Sequence, residues 1–138
     1  MSYILSSLVP FFRKNPKLLF LVDGIGALLT LMFLSIVLPA IRQFIGIPLK
    51  ALYFLAIIAI VLLLYSTVCF FLNPLKYEFF VKIIAVANLI YCFITVGTVI
   101  FYYDQMTLWG FFYFGLETFI ILILVALELL VGSDRRTL

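Results

Sequence analysis

Four stretches of the chain, roughly 18–40, 49–72, 79–103 and 107–131, stay apolar for longer than the run needed to cross a bilayer. A membrane-spanning helix takes about 20 such residues. No other feature constrains the fold as tightly. Hydrocarbon offers backbone N–H and C=O groups no water, so a spanning segment must satisfy them internally, and a run this long does so as a helix. Composition agrees: of 138 residues, 67% are hydrophobic and 11% charged, where a soluble domain is about a quarter charged. A chain this short has too little interior to hide that much apolar surface. The expected fold class is all-α, a polytopic membrane protein with a single integral membrane domain over residues 1–138.

Punctuation between the runs is short. Pro39 closes the first, Gly46 and Pro48 turn into the second, Asn73-Pro74 closes the second, and Asp104-Gln105 separates the third from the fourth. Short connections make sequential helices antiparallel neighbours, which predicts an up-down-up-down four-transmembrane-helix bundle. Residues 1–17 are apolar but too short to span. Pro10 interrupts them, and Arg13, Lys14 and Lys17 follow rather than precede the apolar part, unlike a signal peptide. This predicts a short interfacial segment with Phe11 and Phe12 in the membrane. Residues 132–138 form the expected cytoplasmic tail.

Basic residues orient the chain. Arg13, Lys14, Lys17, Lys76, Lys82, Arg135 and Arg136 fall on one side, Arg42 and Lys50 on the other. The positive-inside rule then puts both termini in the cytoplasm, with Tyr102, Tyr103 and Trp109 at the outer interface. The basic excess sits at helix ends, so the expected partners are the bilayer and a membrane protein or second copy of this chain, and no nucleic acid. Histidine is absent, removing the commonest general base and metal ligand. No nucleotide, zinc or nucleophile motif occurs, and Cys69 and Cys92 read as small buried hydrophobes. Neither an enzyme, a metal site nor a cofactor is expected.

The polar residues inside the spans carry the functional question. On the fourth run Tyr113, Glu117, Ile121, Leu124 and Glu128 share one helix face. An acid at mid-helix costs about 2.5–3.5 kcal/mol to insert. Sixteen Leu, Ile, Val and Phe residues in 108–131 outweigh it, each contributing roughly −0.3 to −0.6 kcal/mol near the centre. The helix inserts, but Glu117 must face protein or water. Asn88 on the third run lies at matching depth and is the expected partner, with Tyr113 one turn above. Such burial leaves the carboxyl neutral or engaged with a proton, cation or cationic ligand.

Asp23 and Lys82 are a candidate structural ion pair. "NPKLLFLVD" (Asn15 to Asp23) echoes "NPLKYEFFVK" (Asn73 to Lys82), and each residue lies just past a helix start. Glu128 is expected at the interface, solvated or joined to that pair. Gly24, Gly26 and Ala27 permit close helix approach, with Thr30 near mid-depth.

Through "FLVDGIGALLT", "KIIAVANLIYC" and the acidic final helix, the chain resembles uncharacterised small four-helix bacterial inner-membrane proteins. That resemblance implies the inner (plasma) membrane and no mechanism. Small multidrug transporters also have four helices and a membrane glutamate, but on the first helix, where this chain has Asp23. Nothing of their activity is carried over. Two function classes remain. The leading one is a structural or partner-binding membrane subunit, and the alternative is a small oligomeric transporter or ion-conducting unit built around Glu117.

Overall fold

The computed structural model describes residues 2–72 and 76–132, and the described chain is helical almost throughout. A helix at Ser2–Lys14 precedes a first long helix, Pro16–Ala40. A short helix, Arg42–Ile45, leads to the second long helix, Leu49–Leu72. The third is Tyr77–Phe101, and one 3₁₀ turn at Tyr103–Gln105 leads to the fourth, Leu108–Gly132. These four are long and apolar enough to cross a membrane, and they are called spans below. The Asn73-Pro74 turn, Arg135 and Arg136 lie outside the described residues.

Span boundaries follow local chemistry. The first begins at Pro16, two residues earlier than the apolar pattern predicts, because proline's fixed φ and missing N–H suit the first helical position. It runs one residue past Pro39, and the proline leaves its mark upstream. Phe33–Val37 is π-helical, with the Leu38 amide donating to the Phe33 carbonyl. A proline ring collides with the carbonyl four residues before it, and the wider π turn moves that carbonyl aside. The Ser35 hydroxyl donates to the Leu31 carbonyl at 2.6 Å, adding a partner within the irregular turn.

Within an 18-residue window of each span only 22% of the residues in the first and 33% in each other are buried, so most side chains point outward, and they are large and apolar. Ile36, Val61, Phe93 and Phe119 are all exposed. In water such a continuous apolar surface would aggregate; against lipid it costs nothing.

The first span packs along the second and the third along the fourth, while contact between second and third is sparser. The N-terminal helix does not break at Pro10 as the sequence suggests; it continues through it. The carbonyl left without a helical donor belongs to exposed Ser6, where it is not sealed in the protein interior. Val9 and Phe12 of this helix are buried, it packs chiefly on the fourth span, and the Arg13 guanidinium donates to the Leu130 carbonyl at 2.8 Å.

At the opposite end of the fourth span, two loops clamp together. Thr107 donates from its hydroxyl to the Phe44 and Ile45 carbonyls and from its amide to Ile45 at 3.0 Å. Gly46 has φ 94°, and a Cβ there would collide with the Gln105 carbonyl. Gly46→Ala is therefore expected to destabilise the protein by about 2–4 kcal/mol, combining the left-handed backbone penalty with overpacking against main chain. Gly26→Ala, where a Cβ meets nothing within 4 Å, should be neutral or stabilising by up to about 1 kcal/mol. Thermal unfolding midpoints in detergent compare the two.

Candidate functional site

Helical spacing gathers the polar residues from three spans. Asp23, Gly26, Ala27 and Thr30 recur at threes and fours along one face of the first span. Asn88 and Tyr91 lie one turn apart on the third, and Tyr113 and Glu117 one turn apart on the fourth. These faces enclose a cavity of about 420 Å³, with Ala59 and Leu62 of the second span against it. It lies where the first and fourth spans stand apart. Leu29, Leu116 and Ile120 line it and are about half exposed, so it opens on the flank that faces lipid.

One end of the cavity is a three-span polar cluster. The Asn88 Nδ2 group donates to Asp23 Oδ1 at 3.0 Å and to Glu128 Oε1 at 3.3 Å. The two carboxyls lie within hydrogen-bonding reach of each other. Ionised carboxylates only accept, so that contact requires a proton between them. Asp23, Asn88 and Glu128 are 4%, 5% and 0% exposed. Beyond that mutual contact, Asp23 Oδ2 and Glu128 Oε2 have no hydrogen-bond partner among the described residues.

Glu117 forms the second centre. It is 9% exposed, and the Tyr91 hydroxyl donates to its Oε2 at 3.3 Å. Thr30 and Tyr113 stand nearby, yet Oε1 takes no hydrogen bond from any described residue. The Tyr113 ring also rests against Phe33, centroids 5.9 Å apart. Among the described residues no Lys or Arg lines the cavity. The arrangement can hold protons or cationic groups at two carboxyl centres joined by an apolar wall. Among the described residues no group of three or more His, Cys, Asp or Glu is arranged to hold a metal ion.

Glu117 thus points inward and meets the third span, but through Tyr91 rather than Asn88. Asn88, matched to Glu117 by depth, serves Asp23 and Glu128 instead. The expected Asp23–Lys82 pair is not formed: Asp23 is partnered by Asn88, and Lys82 is exposed. An ammonium on a flexible stem reaches headgroups at little cost, so it has no reason to follow Asp23 inward. Glu128 joins Asp23, as one of its two expected placements had it, though without Lys82; it is not a solvated interfacial acid, because the N-terminal helix covers that end of the fourth span. Cys69 and Cys92 are buried free thiols.

No family model matches this chain, and neither a curated protein nor a solved structure matches it. The functional reading therefore rests on the site itself.

Asn88→Leu should cost about 1–3 kcal/mol for each acceptor it leaves unpaired and should couple to Asp23→Asn by about 0.5–3 kcal/mol in a double-mutant cycle. Asp23→Asn and Lys82→Ala should add within about 0.5 kcal/mol, as separate sites do. Unfolding midpoints of the single and double variants distinguish the two outcomes.

Proposed function

We propose that the chain is an integral protein of the inner (plasma) membrane whose cavity binds a proton or cationic ligand at Glu117, as a small transport unit does. The spans form an up-down-up-down bundle with both termini in the cytoplasm. Supporting the bundle, Gly132 of the fourth span lies against Glu78 and Lys82 near the start of the third. At the far end Thr107 meets the loop between the first and second spans. The basic residues of the two sides support the orientation.

One observation carries the functional reading: among the described residues, a buried carboxyl with an unpartnered oxygen faces a cavity lined by no basic side chain. A purely structural glutamate would have its hydrogen bonds met by protein, because an unsatisfied group in the membrane interior costs several kcal/mol. The cavity opens sideways to the lipid flank, which favours binding and exchange over conduction through a continuous pore.

Reporter fusions at the C-terminus and in the 42–50 loop test the orientation; an outward C-terminus would overturn it. For the site, Glu117→Gln keeps the shape and hydrogen bonding of a neutral acid and removes titration. In nanodiscs, measured against empty nanodiscs, the wild type should bind n-octylamine at least about tenfold more tightly than the variant, a difference of about 1.4 kcal/mol, with unfolding midpoints unchanged. Equal binding, together with a membrane protein that co-purifies with both forms, would instead establish the structural or partner-binding subunit.

A further inference from the structure

Resting on the reading of Glu117 as a cation site, we infer that the ligand is an elongated dication: two ammonium groups joined by an apolar chain, one at Glu117 and the other at the Asp23–Glu128 pair. Both centres border one cavity. Asp23 and Glu117 line it, each at least nine-tenths buried, and Glu117 keeps a carboxyl oxygen that no described residue hydrogen-bonds. A monocation would satisfy one centre and leave the other unused.

The span fixes the length. Thr30 stands beside Glu117, and Asp23 lies seven residues earlier on the same face, a rise of about 10 Å. On the third span the donors to the two centres, Asn88 and Tyr91, lie one turn apart in the same order. An extended chain of about eight methylenes covers this distance by ordinary covalent dimensions. The wall between the centres suits such a chain, being made of Gly26, Ala27, Ala59, Leu62, Ile121 and Leu124. At about 420 Å³ the cavity falls within the usual range for small-molecule sites.

Charge balances as well. With one proton held between them, Asp23 and Glu128 carry one negative charge, and ionised Glu117 carries another. Two ammonium groups neutralise both. An apolar cavity does not hold uncompensated charge, so the empty centres keep a further proton each. Each arriving ammonium then displaces one proton to solvent. Few titratable groups surround the cluster among the described residues. The neutral Tyr65 hydroxyl and Cys69 thiol of the second span lie near Asp23, and exposed Lys82 is the nearest base along the third span.

The test is calorimetry in nanodiscs, against empty nanodiscs, with n-octylamine and with diaminobutane, diaminohexane, diaminooctane and diaminododecane. Affinity should peak at diaminooctane, at least tenfold above n-octylamine. Buffers of different ionisation enthalpy should report two protons released per diaminooctane and one per n-octylamine. Asp23→Asn should lower diaminooctane to the n-octylamine level, with one proton released in place of two. Gly26→Leu, which adds bulk to the cavity wall and replaces no carboxyl, should abolish diamine binding and covers the case in which Asp23→Asn fails to fold. Diamines that bind no more tightly than n-octylamine, or an affinity that ignores chain length, would overturn the dication. If n-octylamine binding still depended on Glu117, the proposed function would stand without it.

Discussion

One side-chain amide ties three of the four spans together. Lipid tails are as apolar as leucine, so nothing like the hydrophobic effect drives helices against each other inside a bilayer; polar contacts and close packing must do it. Asn88 donates both amide hydrogens, one to Asp23 on the first span and one to Glu128 on the fourth. The two pairs of spans that pack closely, first with second and third with fourth, are thereby joined through a single layer. Where the first span meets the second, Gly24 lies beside Ser66, and a Cβ there would sit 3.7 Å from the serine Cβ. Everything else about the site follows from keeping water away from that layer. The N-terminal helix does so, with Val9 and Phe12 turned inward and Arg13 fixed to the Leu130 carbonyl.

The spans were legible in the sequence because hydropathy is a property of the run itself, and their ends fall within two residues of the apolar pattern. Glu117 was legible for a similar reason: helical spacing gives its face, and the cost of an acid in lipid gives its direction. Its partner was not. Depth counted along two helices leaves an uncertainty of about one turn, and one turn is the difference between Asn88 and Tyr91. The burial of Glu128 escaped for a deeper reason. Distance from a helix end measures exposure only if nothing covers that end, and the cover here comes from a segment more than a hundred residues away. Asp23 and Lys82 looked paired because their positions after two helix starts match. Position along a helix says nothing about which way each side chain turns, and lysine, unlike aspartate, can climb out to the headgroups.

The π-helical turn at Phe33–Val37 bears on the site directly. Sequence marks it only through Pro39, which read simply as the end of a span. Phe33, at its first position, lines the carboxyl cavity and also a second, more apolar hollow of about 580 Å³ bounded by Ile45, Trp109 and Phe112. Such turns are frequent at functional sites because they rotate the residues after them out of helical register. Here the turn falls where the first span borders both hollows against the fourth.

That separation has fixed points at both ends. At one end the Asn88 layer draws the first and fourth spans onto the third. At the other, Thr107 and the Gly46–Gln105 contact hold the loop after the first span against the start of the fourth. Between these ties Thr30 of the first span stands beside Glu117 of the fourth and the Phe33–Tyr113 ring pair touches across the gap, while Gly26 and Ala27 offer no bulk to close it. A helix pair pinned at its ends and furnished with small residues in the middle cannot collapse without loosening one of the ties. The cavity is thus held open by the same contacts that hold the fold together, and its carboxyls stand in it for the same reason.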